Sequence, residues 1–149
     1  MAKEIIKKNR GFVLLFAVTL AALLLSITLG VANIALKEIQ FGTSARDTTD
    51  AFFAADSGIE QALFNDKNPL SYPTPAVGAS FTWSPIIVSG LGSVGTSCAN
   101  ISVQKDNAIF PSTSLITTII SKGYNIGSQD GLCTSTNPNR VERELKTSY

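Results

Sequence analysis

The sequence predicts an α+β protein: one long N-terminal helix, with a small antiparallel β-sheet packed on the helix's second half. Three observations predict it. Residues 12–36 carry no charged side chain. Residues 37–64 keep a helical pattern with no breaker. After the turn-forming cluster Asn65-Asp66-Lys67-Asn68-Pro69, the chain turns to short alternating runs rich in Ser, Thr and Gly. A helix followed by a block of strands is the pattern of a helix laid on one face of an antiparallel sheet.

The chain opens with a basic segment. Its first ten residues hold Lys3, Lys7, Lys8 and Arg10 against Glu4, while the remainder holds eight basic and ten acidic residues. A basic end before an apolar run puts the N-terminus in the cytoplasm by the positive-inside rule. Residues 12–36 then read FVLLFAVTLAALLLSITLGVANIAL, with Thr19, Ser26, Thr28 and Asn33 as the polar members. As a helix this run spans about 37 Å, against a hydrocarbon core of about 30 Å. Its hydroxyls can bond back to the helix's own carbonyls. A cleaved secretory signal expects a shorter apolar stretch, about 7–15 residues, ending in small residues at the cut. Here the helical pattern runs on instead.

In residues 37–64, Phe41, Ala45, Thr48, Phe52, Ala55, Ile59 and Ala62 recur at alternating spacings of four and three, one stripe on a helix. This stripe is expected to face the sheet, with Gly58 allowing close packing between Ala55 and Ala62. The helix should stop near Asn65–Pro69. A loop with Pro69, Pro73 and Pro75 follows. Strand-like runs then cover 80–84 (stopping at Pro85), 86–88, 98–104, 114–125 and 140–149. In the last run Val141, Leu145, Thr147 and Tyr149 share one face, and Glu142, Glu144 and Lys146 the other. The glycine-rich stretches 90–95 and 127–131 read as turns. The organisation expected is therefore a leader at 1–11, a transmembrane helix at 12–36, its amphipathic continuation at 37–66, and a strand-rich extracytoplasmic region at 67–149.

The chain has no histidine, which removes Ser-His-Asp and Cys-His catalysis and most zinc sites. Neither a phosphate loop nor a nucleophile constellation is present, so no catalytic residue, metal site or cofactor is expected. The mildly acidic body gives no electrostatic footprint for nucleic acid. Cys98 and Cys133 both fall in the distal half. Outside the cytoplasm they read as a disulfide closing a loop of about 36 residues, worth about 3–4 kcal/mol in the chain-entropy model; two buried free thiols are the alternative.

Lys7-Lys8-Asn9-Arg10-Gly11-Phe12, followed by the long apolar helix, resembles the leader and cleavage site of type IV prepilins. The segment AFFAADSGIEQAL at 51–63 is similar to the A-A-E/D-x-G-h-E-x-A signature of PilX-type minor pilins. The resemblance covers residues 7–64. It implies a pilin-like fold and a structural, non-enzymatic subunit. A membrane prepilin peptidase would cut after Gly11 on the cytoplasmic side, and Phe12 would become the N-methylated new N-terminus. The partners implied are other pilin subunits through the N-terminal helix, the peptidase and assembly machinery, and the lipid bilayer. Phe12, Phe16, Gly30, Asp56 and Gly58 are the positions it places in assembly. Most type IV pilins carry a glutamate at the fifth mature position, where this chain has Phe16. That departure favours a minor, tip or initiating subunit over a shaft subunit. Adhesion, DNA uptake, motility and secretion are the activities such filaments serve. The competing expectation is a single-pass anchored ectodomain that binds a ligand or a cell-wall component without assembling.

Four other features read as ordinary structure. Asp56 and Glu60 sit one turn apart and read as solvated polar positions. Gln129-Asp130-Gly131 offers too few carboxylates for calcium and reads as a turn. Asn100-Ile101-Ser102 is a short glycosylation match. Trp83, Tyr72, Phe81 and Tyr124 read as core.

Overall fold

A computed structural model describes residues 10–92, 94–109, 114–128 and 130–149, with the backbone alone at Arg10. Most of the expected leader, 1–9, and Gln129 of the turn lie outside the described residues. The described residues form one helix, α1 (Arg10–Asp66), and four strands: β1 (Ser80–Leu91), β2 (Ser97–Ala108), β3 (Ser114–Tyr124) and β4 (Glu142–Ser148). The strands make one antiparallel sheet in the order β1-β2-β3-β4, so each pairs with its neighbour in sequence. The α+β class is as the sequence predicts. The chain divides into two units, Met1–Thr43 and Ser44–Tyr149.

In the first unit, every side chain from Gly11 to Thr43 is exposed. Phe12 is 75% exposed and Leu36 61%. Its most apolar 18 residues have a mean hydropathy of 2.7, and the helix is long and apolar enough to cross a membrane. Its hydroxyls do bond back to the helix. Thr19 Oγ1 donates to the carbonyls of Leu15 (3.1 Å) and Phe16 (2.9 Å), Ser26 Oγ to Leu23 (2.8 Å), and Thr28 Oγ1 to Leu24 (2.6 Å) and Leu25 (3.0 Å). Three polar groups are thereby made compatible with lipid.

In the second unit, α1 lies on the sheet through small residues. Ala51, Ala54, Ala55 and Ala62 are at most 1% exposed, and Gly58 is buried among them. The expected stripe holds at Ala55 and Ala62, with Ile59 half-buried, but not at its phenylalanines: Phe52 is 43% exposed, and Phe41, in the first unit, is 75% exposed. The reason is the closeness of the backbones. A Cβ added to Gly123 of β3 would overlap the Ala51 carbonyl oxygen and the Ala55 amide nitrogen, and stand 2.8 Å from Ala55 Cα. No phenylalanine fits such a gap; alanine and glycine do. From Gly58, a Cβ would overlap Ser121 Oγ and reach Ala99 Cβ at 3.0 Å.

The core gathers Ala62, Tyr72, Ala99, Ile101, Val103 and Ile119, flanked by Ile59, Leu63, Trp83, Ile86 and Val88. The inward positions of β2 are Ala99, Ile101, Val103 and Lys105, all buried. β1 does not stop at Pro85. Its register shifts between Trp83 and Ile86, where Ser84 and Pro85 pair with nothing, and then resumes. β1 is an edge strand, so a residue without an N–H is tolerated at such a bulge. The bulge also explains why alternation read from sequence breaks there: inward Trp83 and Ile86 are three apart, not two. β4 obeys the predicted alternation, with Leu145 and Thr147 half-buried and Glu142, Glu144 and Lys146 exposed.

Candidate functional site

Three places hold the candidate residues: the exposed helix, the base of the sheet where α1 ends, and the loop after β3.

On the helix, Gly11 and Phe12 lie in the first described turn. Apart from the helix's own backbone, nothing among the described residues lies within 4 Å of a Cβ built on Gly11. Phe16 is 57% exposed, and the space around Gly30 is equally open. Asp56 and Glu60 are both exposed on the face of α1 turned away from the sheet. No group of three or more metal-ligating side chains occurs among the described residues. Gly58, by contrast, is a helix–sheet contact against Ser121 and Ala99, which fits the close packing read for it from sequence but takes it off the surface available for assembly.

At the C-terminal end of α1, sequence reasoning missed a buried charge network. Lys105 is 4% exposed. Its Nζ sits 2.6 Å from Asp66 Oδ1 and donates to the Tyr72 carbonyl at 2.8 Å. The Tyr149 hydroxyl donates to Asp66 Oδ2 at 2.7 Å. A cation at a helix C-terminus also complements the macrodipole. Burial, followed by the bond to Asp66 and its charge, pushes the Tyr149 phenol up to about 12. The last helical residue, the loop after it, the middle of β2 and the end of β4 are thus tied at one point. The members lie far apart in sequence, so no local pattern announces them. The signal available was parity: Lys105 continues the inward series Ala99, Ile101, Val103.

After β3, residues 125–140 form a loop closed by Cys98–Cys133, with Cα atoms 5.9 Å apart. The disulfide expected from sequence is present. Cys98 and Cys133 pack with Tyr124 and Ile87. The loop's second fastening is Arg140. Its guanidinium carbon lies 3.6 Å from the Tyr124 ring centroid, and its nitrogens donate to the carbonyls of Cys133 (2.6 Å) and Ser135 (2.9 Å). Asn125 accepts from the Val141 N–H at 2.7 Å and donates to the Asn139 carbonyl at 3.3 Å, which closes the loop's neck. Asp130 accepts from the Ser128 hydroxyl and from the Leu132 N–H, which holds its carboxyl below the usual range. That is a turn, as read from sequence. A cleft of about 490 Å³ lies between this loop and the β1–β2 hairpin, lined by Ser89, Thr96, Ser128 and glycines.

No protein-family model, no curated protein and no solved structure matches the chain. The resemblance to type IV pilins therefore rests on the residues of its N-terminal half.

Of the remaining candidates, Tyr72 and Tyr124 are buried and Trp83 half-buried. Phe81 is 57% exposed, which corrects its place in the core. It stacks at 4.9 Å on Trp83 at the sheet edge, where no further layer covers it. Asn100 is half-buried within β2 and is paired on both sides, with Ile87 and Lys122.

Proposed function

We propose that this chain is a membrane-inserted structural subunit of a type IV pilin-like filament, similar to PilX-type minor pilins and without enzymatic activity. One observation carries the reading. From Phe12 to Leu36 the helix carries no charged side chain and every residue is exposed, with none of its most apolar window buried. Such a surface needs a bilayer or other helices around it. The same helix then continues into the second unit as the element on which the sheet is built. A chain made this way can be stored in a membrane and later packed through 12–36 against neighbouring subunits.

In this reading the N-terminus is cytoplasmic and the sheet extracytoplasmic, where the disulfide is stable. The leader is removed after Gly11, and Phe12 becomes the new, methylated N-terminus. Phe16 favours a role in initiation or at the tip, because it offers no carboxylate to a neighbour's amino group. An unpaired charge at that depth costs about 2.5–3.5 kcal/mol on insertion scales.

Co-expression with a prepilin peptidase tests the reading. The intact mass should fall by residues 1–11, and Gly11→Val should block the cut. An unchanged mass favours the second reading, a single-pass anchored ectodomain that binds a ligand or cell-wall component. The cleft between hairpin and stapled loop is what speaks for it.

A further inference from the structure

The part of α1 that carries the sheet turns one face to solvent. Phe53, Asp56, Glu60 and Phe64 follow one another there at spacings of three, four and four, which is a single stripe. Phe53 is 57% exposed, Phe64 is 71% exposed, and both carboxylates between them are exposed. The membrane-type part of α1 carries a stripe with the same three spacings: Gly30, Asn33, Lys37 and Phe41. All four are exposed, and Asn33 and Lys37 have no hydrogen-bond or ion-pair partner among the described residues.

The two stripes are complementary at every level. Gly30 stands opposite Phe53, and a glycine leaves the hole that a ring fills. Asn33 stands opposite Asp56, and a carboxamide N–H can donate to a carboxylate that only accepts. Lys37 stands opposite Glu60, cation against anion. Phe41 stands opposite Phe64, ring against ring. A shift of one helical turn keeps one polar pair, Lys37 with Asp56 in one direction or Asn33 with Glu60 in the other, but it sets Phe41 against Glu60 in the first case and Lys37 against Phe64 in the second, so the n + 23 register alone satisfies all four levels.

We propose that a second copy of this chain docks on the exposed face of α1, with its residue n opposite residue n + 23 of its neighbour. The proposal rests on the filament reading above and names the partner and the register. The two faces are different surfaces of one chain, so the contact is head to tail, and a pair of copies at the start of a filament satisfies it. The charges set register more than affinity. Phe16 falls opposite Ile39 in this register, both exposed and apolar, so the contact asks for no carboxylate at residue 16.

Two differently tagged full-length versions, Lys37→Cys and Glu60→Cys, test it when expressed together in the source cells. Both positions are exposed, and the chain's own cysteines are bonded to each other, so only the introduced thiols can link copies. Mild oxidation should give a dimer carrying both tags, abolished by reductant. Lys37→Cys with Gln61→Cys, about 100° round the helix, should give none. If the chain is processed and enters filaments but yields no Lys37–Glu60 product, or yields as much with Gln61→Cys, the docking register is overturned and the filament reading stands. If it is neither processed at Gly11 nor linked, both are overturned.

Discussion

Single residues decide how closely α1 can lie on the sheet. At Gly123 a side chain has nowhere to go, because what it would meet is helix backbone. Gly123→Ala should therefore destabilise the globular unit by about 3 kcal/mol or more, the upper end for overpacking, since backbone cannot rotate aside. Chemical denaturation of the full chain in detergent, followed by Trp83 fluorescence, measures it; a change within about 0.5 kcal/mol would refute the close-approach account. Ser121 makes the opposite prediction. Its hydroxyl is fully buried against Gly58 with no hydrogen-bond partner. Ser121→Ala should leave stability unchanged or raise it by about 1 kcal/mol, because an unpaired buried hydroxyl costs about 1–3 kcal/mol. Tyr149 adds a pH dependence. Its phenol is raised from 10.0 to about 12, so the folded chain keeps a proton that the unfolded chain has lost in that window. The bond to Asp66 therefore stabilises fully below pH 10 and fades as pH rises through about 12. Thermal melts between those values should fall less steeply for Tyr149→Phe than for the parent chain. Equal slopes would mean that Tyr149 does not titrate with folding.

The elements differ in how plainly they could be read. The helix was legible almost to the residue, because a charge-free run and a turn cluster closed by Pro69 are local signals, and α1 does end at Asp66. β4 was legible because one face is in water and its alternation survives. β1 was not, because the bulge at Ser84-Pro85 shifts the period that the eye follows. The helix stripe was read correctly at Ala55 and Ala62 but wrongly at Phe41 and Phe52, since phenylalanines look more buried than alanines such as Ala51 and Ala54 that actually touch the sheet. Among candidate site residues, Cys98 and Cys133 could be paired from sequence, as the chain has no other cysteines. Arg140 could not be found, because a cation over a ring depends on how the loop folds back. Its placement yields a prediction for the loop as a unit. Two carbonyl bonds and the Tyr124 ring hold Arg140, and lysine reproduces neither the fork nor the stacking. Arg140→Lys should speed exchange of the Val141 and Asn125 amides at the loop's neck and leave the β2–β3 amides protected. Reducing the disulfide should do the same and also lower global stability, by about 3–4 kcal/mol in the chain-entropy model. Uniform exchange in both cases would show that the loop is not separately fastened.

At the scale of the whole molecule, the two units place opposite demands on solvent. Residues 11–43 bury no side chain within the chain, so they gain nothing from water and depend on lipid or neighbouring helices. Ser44–Tyr149 instead contains the whole sheet, the alanine and glycine face that covers it, the disulfide and the Lys105–Asp66–Tyr149 tie. All the stabilising contacts described for the sheet are thus internal to the second unit. It follows that deletion of residues 1–43 should give a protein that is soluble without detergent and retains the disulfide. Its helix would be shorter, but its melting temperature should lie close to that of the full chain's sheet. Tyr124 and Asn125 amide protection should be unchanged. The truncated chain should also be monomeric by sedimentation, because the stripe from Gly30 to Phe41 that is proposed to dock on its neighbour has been removed. A truncated chain that aggregates or loses its sheet would show that the membrane-type helix contributes to folding of the second unit, and not only to anchorage. One that folds but forms dimers would place the self-association surface within Ser44–Tyr149 and away from the n to n + 23 register.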